Sequence, residues 1–421
     1  MRPIRLGIFG CLRGSSFPKI VLMNNGEIVA LCDRSTEKME QTAKDLPEKP
    51  TFYTDFDAFL EHDMDAVVLA NYFHEHAPYA IRCLEKGLHV LSECLSNGTM
   101  ADGVALVRAA KRSSAIYMLG ENYPYMQYNQ EINRVYRSGV LGKALYAEGE
   151  YNHPYDPRDV EYQIRLTPRT KHWRNYLPCT YYITHALSPL MKITGAAPIR
   201  VSAMPIWLPE DRVATGSYVG DASAIITCLN DDNSVFRVTG RAAFGGKENS
   251  FRICGDRGQI ENVRGGNGKV MLRYNEWQTP SGAEAEKFYK PDWPEECRAL
   301  VKRSGVGSDF FVVREFFQCI REKRQPEMDV YFATTMSSVG ILGHRSLLEF
   351  GVPYDIPDFR KEEDCRKYEN DHLTPFWDSD GNPPTIPCCS RPDYRPSEEQ
   401  LKNYRILTGE ENSSRYHESK S

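Results

Sequence analysis

The sequence predicts a two-domain α/β protein, in which a doubly wound parallel sheet is followed by an α+β domain with an open, mostly antiparallel sheet. Three observations carry this. As far as Leu119, short apolar runs alternate with helical stretches, a pattern that specifies a right-handed parallel sheet. From Lys143 onward short strands follow one another with turn residues between them. At 421 residues the chain also exceeds what one ordinary core holds.

In chain order, Ile4-Arg-Leu-Gly-Ile-Phe9 reads as a strand ending in Gly10-Cys-Leu-Arg-Gly14-Ser-Ser, with a helical stretch from Pro18. A glycine-containing turn between strand and helix presents backbone N–H groups that can hold a pyrophosphate. Leu12 stands where a second glycine would let the backbone approach the phosphates, and Gly14 falls one position early. The next strand, Glu27-Ile-Val-Ala-Leu-Cys32, ends in Asp33, an acidic residue about 20 positions after the turn, where a ribose hydroxyl would be held. Asp33 supports a dinucleotide more than the glycines do. Arg34 beside it can attract a 2′-phosphate, which leaves both NAD and NADP open.

Asp65-Ala-Val-Val-Leu-Ala70 is a buried strand that runs into Asn71-Tyr-Phe-His74-Glu-His76. A helix from Pro78 to Lys86 leads to His89-Val-Leu91 and then Glu93-Cys94. A helix from Thr99 to Lys111 and the strand Ala115 to Leu119 complete the unit at Glu121-Asn122-Tyr123. The C-terminal edge of this sheet collects Gly10, Asp33, Asn71, His74, Glu93 and Cys94, and open α/β sheets bind ligands at that edge. A helix from Tyr128 to Arg137 follows.

Strands are expected at Ala144–Tyr151, Ile199–Ala203, Ala222–Thr227, Val235–Thr239, Ser250–Cys254, Gly258–Glu261 and Lys269–Arg273. Amphipathic helices at Asp309–Arg321 and Ala333–Phe350 are expected to cover that second sheet. The expected division is 1–124 for the first domain, 125–356 for the second, and 357–421 for an extended, Pro-rich and charged tail whose last dozen residues are expected to be mobile.

Hydrophobic content of 41% and charged content of 26% are those of a soluble globular protein. A net charge of −5 gives no reason to expect nucleic acid or an anionic membrane. No segment approaches the roughly 20 apolar residues of a membrane span. Twelve scattered cysteines read as reduced thiols, hence a cytoplasmic protein. Cys388-Cys389 lack a partner pair, and His74 and His76 sit beside a nucleotide site, so no metal is expected.

The order of Asp33, Asn71-Tyr-Phe-His74-Glu-His76, Gly87-Leu-His89-Val-Leu-Ser-Glu93, Glu121-Asn122-Tyr123 and Gly142-Lys-Ala-Leu resembles the Gfo/Idh/MocA family of NAD(P)-dependent oxidoreductases over roughly residues 4 to 350. The resemblance implies a Rossmann domain, an open second sheet and sugar or cyclitol substrates. Glu121-Asn122-Tyr123, Ala147-Glu-Gly-Glu-Tyr151, His172-Trp-Arg174 and Tyr182-Ile-Thr184-His185 resemble more closely the NAD-dependent glycosidases of the α-N-acetylgalactosaminidase type. By that likeness Arg13, Gly14, Asp33, Asn71 to His74, Glu93, Cys94 and Asn122 touch the dinucleotide, with Gly10, Arg34 and His76 at the same edge. Tyr151, Arg174, Tyr182, Thr184 and His185 line the sugar pocket.

Two departures stand out. Dehydrogenases of the family carry Glu-Lys-Pro where this chain has Glu93-Cys94-Leu95, and they carry an Asp four residues before the histidine where this chain has Tyr181. The glycosidase branch likewise lacks that lysine. Proton transfer then falls to His185, whose unperturbed pKa of about 6.5 suits exchange at neutral pH, with Tyr182 and Tyr151 sharing the role or binding hydroxyls. His153 and Lys171 stand in reserve. Cys94 is either a thiolate near the nicotinamide or a small packing residue.

Three readings follow. The first is a dehydrogenase moving hydride between NAD(P) and a ring hydroxyl of a sugar, cyclitol or glycoside. The second is a redox-neutral glycosidase that proceeds by C3 oxidation, elimination, hydration and re-reduction. The third is a catalytically silent sugar or nucleotide sensor. A small carbohydrate is the expected partner, and the open sheet face leads to the expectation of a homo-oligomer.

Overall fold

A computed structural model of the chain describes residues 2–156, 159–208, 217–305 and 307–410. The expectation of a mobile end falls on residues 411–421, outside the described ones. Six strands, β1 (Ile4–Phe9), β2 (Gly26–Cys32), β3 (Thr51–Tyr53), β4 (Ala66–Leu69), β5 (His89–Ser92) and β6 (Tyr117–Leu119), form the first sheet. Their order is β3-β2-β1-β4-β5-β6, and every neighbouring pair is parallel. The strand order reverses between β1 and β4, so a crevice opens at their C-terminal ends. β3 was not expected from sequence, since three residues are too few to show alternation.

The sheet interior is apolar throughout: Leu6, Ile8, Val67, Val68, Val90 and Leu91 are buried. Strands covered on both faces need such continuous runs, and that is why they were visible in the sequence. The helix Met100–Arg112 starts where Thr99 accepts a hydrogen bond from the Asp102 amide at 3.1 Å, a cap worth about 1 kcal/mol.

The second sheet has nine strands: β7 (Ala144–Asn152), β8 (Pro198–Trp207), β9 (Asp221–Asn230), β10 (Val235–Thr239), β11 (Glu248–Gly255), β12 (Gly258–Asn262), β13 (Val270–Tyr274), β14 (Glu286–Tyr289) and β15 (Tyr354–Asp355). Their order is β14-β13-β12-β11-β7-β10-β9-β8-β15, antiparallel except for the central β7–β10 pair. The helix Thr184–Thr194 lies on its inner face, with Ala186, Leu187 and Leu190 fully buried.

The two long C-terminal helices do not simply cover the second sheet, as the periodicity suggested. Ser308–Glu322 packs on the first domain. Its Phe317 ring lies over Gly26, and Arg321 donates to the carbonyls of Asn24 and Asn25 at 3.0 and 2.9 Å. Val330–Leu348 bridges both domains, through Ser337 on Ser96 at 2.8 Å and Ser346 on the amide of Ala203 at 2.8 Å. Amphipathicity shows that a helix has a buried face but not which neighbour covers it.

Residues 357–410 run across the body and carry the helices Glu362–Tyr368 and Glu398–Thr408. Asp371 forms a two-pronged pair with Arg345, at 2.6 Å for each bond, and Phe376 stacks on His74 at 4.5 Å. No described helix is long and apolar enough to cross a membrane.

The buried His344 ring donates from Nε2 to the Pro387 carbonyl at 2.7 Å, tying this segment to the long bridging helix. Burial pushes its pKa down to about 4. Between the unfolded value near 6.5 and pH 4 the unfolded chain binds a proton that the folded chain does not, so stability is lost as pH falls through that window. Urea melts of His344→Gln should therefore show a stability slope over pH 4 to 6.5 that is shallower than that of the parent by roughly 1.4 kcal/mol per pH unit. An unchanged slope would show that this histidine is not held neutral.

Candidate active site

The loops after β1, β4, β5 and β6 meet the first turn of the helix Thr184–Thr194 around one cavity, and the loop after β2 lies beside the first of them. Gly10 turns the chain after β1 with φ 95°, and a Cβ there would lie 2.5 Å from the Ala70 backbone. Only glycine permits that approach. Gly14 meets a different need, since a Cβ would lie 2.5 Å from the Ile8 side chain; it lets the short helix sit close on β1. Asp33 braces the turn, accepting from the Cys11 amide at 2.7 Å and the Ser35 amide at 2.9 Å. Leu12, in the place of the missing glycine, is 54% exposed and points away from the packed side of the turn.

A cavity of about 200 Å³ lies beside this turn, lined by Arg13, Asn71, His76, Glu93, Cys94, Glu121, Asn122, Tyr182 and His185 among others. Arg13 reaches from the turn to Glu93 at 2.7 Å and makes two bonds of 3.0 Å to Asp309. Asn122 donates to the same Asp309 at 2.7 Å. Asp309 was not singled out in the sequence. It lies 296 residues from Arg13, and nothing local marks it.

The centre of the site is Glu121, just past β6 and fully buried. Its two oxygens accept from His185 Nδ1 at 2.9 and 3.0 Å, from the Cys94 thiol at 3.0 Å and from the Tyr123 amide at 3.0 Å. Burial pushes its pKa up, but the His185 charge and these hydrogen bonds outweigh that and hold it below the usual carboxylate range. With Nδ1 directed at Glu121, Nε2 is the ring nitrogen left to face a substrate. Tyr123 stacks on the His185 ring at 4.0 Å, while Tyr151 and Tyr182 meet it edge-on at 4.8 and 5.2 Å.

Cys94 is a thiol. Burial drives its pKa well up, and the neighbouring Glu121 and Glu93 carboxylates drive it further. It serves as a donor to Glu121, and the thiolate reading is set aside. The peptide between Cys94 and Leu95 is cis. Burial likewise raises the Tyr151 and Tyr182 hydroxyls, so these keep their protons at neutral pH and are available as donors and not as bases.

A second cavity of about 270 Å³ adjoins the first and shares Arg174 and Tyr182 with it; Tyr151, His153 and Arg241 also line it. Trp173, Phe73 and Tyr182 form a stack, with ring spacings of 5.2 and 5.4 Å, that joins the loop after β4 to the second domain.

Not every expected residue is at the site. Thr184 is fully buried one position before His185 and lines neither cavity, because adjacent helical residues point about 100° apart. His74 packs under Phe376 instead of facing the cavity. Lys171 is exposed, with its ammonium 3.9 Å over the Trp377 ring. Arg34 lies outside the cavity, 6.0 Å over the Tyr72 ring.

The donor set fits a dinucleotide. Both amide atoms of Asn71 and Nε2 of His76 are buried without a partner among the described residues, and both residues line the first cavity. Unpaired buried amides cost about 1–3 kcal/mol each, a cost that a bound carboxamide or ribose would relieve. Asn71→Ala is therefore expected to weaken NAD binding at least about tenfold in a fluorescence titration while leaving the melting temperature unchanged or higher. Unchanged affinity would remove Asn71 from the cofactor site.

Both domains of the chain are similar to known proteins. Residues 4–121 match the family model described as oxidoreductase family, NAD-binding Rossmann fold, and residues 225–365 match that of the glycosyl hydrolase 109 C-terminal domain. An α-N-acetylgalactosaminidase of Shewanella oneidensis is 24% identical over 404 residues, covering 86% of both chains. A glycosyl hydrolase family 109 protein of Streptomyces niveus is 26% identical over 408 residues, covering 86% of this chain and 78% of its own. A levoglucosan dehydrogenase solved with NADH and levoglucosan superposes with a TM-score of 0.71 at 16% identity, covering 85% of this chain and 100% of its own. The chain thus resembles the NAD-binding Rossmann domain of the Gfo/Idh/MocA oxidoreductases over residues 4–121 and the C-terminal domain of glycosyl hydrolase family 109 over residues 225–365.

Proposed function

We propose that the protein is an NAD-dependent glycosidase, which acts on a ring hydroxyl of a glycoside and cleaves the glycosidic bond without net oxidation. The observation that carries this is the His185–Glu121 pair, placed where a cofactor cavity and a second, polar cavity share a wall. The family 109 character of residues 225–365 and of relatives spanning 86% of the chain supports bond cleavage over net dehydrogenation. Bound NAD would supply a hydride acceptor for the ring carbon and the hydride that later restores it. Asp33 at the end of β2 favours NAD, since a carboxylate there repels a 2′-phosphate.

The chain's own residues handle protons. His185 Nε2 takes the hydroxyl proton, and the buried Glu121 carboxylate steadies the imidazolium that results, an arrangement worth about 10²–10⁴ in rate. A carbonyl in the ring acidifies the hydrogen on the adjacent carbon; once the imidazolium has released its first proton to solvent, the same base takes that hydrogen and the aglycone leaves as an alcohol, protonated by water. Tyr151 and Tyr182, protonated and edge-on to His185, donate to the oxygens that gain charge. Arg174, over the Trp173 ring at 4.4 Å, positions the sugar.

The twelve cysteines are free thiols, which suits the cytoplasm. Leu145 and Met204, exposed on strands of the second sheet, support an oligomer built on that sheet.

Purified protein is expected to release nitrophenol from an aryl glycoside, with α-N-acetylgalactosaminides tried first, without accumulating NADH. In D₂O the product should carry deuterium at C2. Steady growth of NADH absorbance with a free sugar would instead assign a dehydrogenase. His185→Ala should lose turnover by about 10² or more while retaining cofactor; retained turnover would remove the base assignment.

A further inference from the structure

Two guanidinium groups in the sugar cavity are not used by this chemistry as a pair. Arg174 and Arg241 both line the cavity of about 270 Å³ and an adjoining one of about 50 Å³. Each rests on an aromatic ring, Arg174 over Trp173 at 4.4 Å and Arg241 over Tyr155 at 5.4 Å. Among the described residues neither has a carboxylate within ion-pair distance, whereas Arg13, Arg237, Arg324 and Arg345 all do. The larger cavity has no acidic residue among its described lining. Asp221, the one acid among the described residues lining the smaller cavity, is already bonded by the Ser390 amide at 2.7 Å and the Ser390 hydroxyl at 2.5 Å.

Two half-buried cations that face one cavity without a counter-charge among the described residues repel each other. Burial lowers the Arg174 pKa, the Tyr182 hydroxyl opposes this, and the charge of Arg241 lowers it further. An anion brought by the ligand would turn that cost into charge-assisted hydrogen bonds, and two planar forks match an oxyanion in geometry. Because Arg174 and Tyr182 also border the cavity that holds His185, the anion belongs to the sugar unit bound at the His185–Glu121 pair or to the unit next to it.

Resting on the glycoside reading above, we infer that the sugar taken by this cavity carries an oxyanionic group, held between Arg174 and Arg241. The shared chemistry is a carboxylate, sulfate or phosphate on a pyranose. Calorimetric titration of the NAD-saturated protein distinguishes these with glucose and galactose, their uronates, and their 6-sulfates and 6-phosphates.

At least one anionic sugar is expected to bind about tenfold or more tightly than its neutral counterpart, in line with one charged hydrogen-bonding partner. That preference should shrink about tenfold in Arg241→Gln. It should survive in part in Arg241→Lys, which keeps the charge and loses the fork; circular dichroism melts of both variants confirm folding. Failure of every anionic sugar to exceed its neutral counterpart overturns the inference, as does a preference untouched in a folded Arg241→Gln. Binding requires no turnover, so the two proposals fail separately. An anion preference without glycoside cleavage sinks the reaction alone, and cleavage of neutral glycosides without such a preference sinks only the anion site.

Discussion

A buried carboxylate without donors would cost several kcal/mol, and Glu121 is fully buried. It is tolerable because four hydrogen bonds converge on it from three parts of the chain: His185 of the second domain through both oxygens, Cys94 after β5, and the Tyr123 amide beside it. The requirement to satisfy this one charge therefore fixes the loop after β5, the loop after β6 and the helix Thr184–Thr194 against one another. It also sets which nitrogen of His185 is free. Packing, domain orientation and proton chemistry meet in a single group.

The absence of a lysine after Glu93 takes on a physical meaning in this setting. A lysine at position 94 would bring a second cation toward the carboxylate that now holds the histidine. Cys94 instead contributes a neutral donor, whose thiol burial keeps protonated. In the proposed mechanism the acid–base function then passes to the second domain. Arg13, engaged with Glu93 and Asp309, ties the glycine turn to the loop after β5 and to the helix Ser308–Glu322.

Much of the fold was legible in the sequence, because parallel strands buried on both faces must be continuous apolar runs and the second domain's strands are bounded by turn residues. Asp33, Asn71, Glu93 and His185 fell at strand or helix ends where ligands gather. Residues whose meaning comes from a distant partner were harder to read. Glu121 stood in a noted motif, yet the histidine 64 positions away that gives it a role is not visible by spacing. Asp309 and Arg241 were missed for the same reason. Thr184 lies behind Cys94, a placement not legible beforehand because a motif shared with a family carries no helical phase. The helix Ser308–Glu322 showed an apolar face without showing which domain would cover it.

The central claim is that Glu121 holds His185 as the proton acceptor of the site. Its most direct test is the pH dependence of turnover in Glu121→Gln, compared with NAD affinity in the same variant. Glutamine keeps the shape and removes the charge that steadies the imidazolium. The account expects kcat to fall about 10² or more, with NAD binding within about twofold of the parent. A variant that turns over at the parental rate with an unaltered pH profile would contradict it.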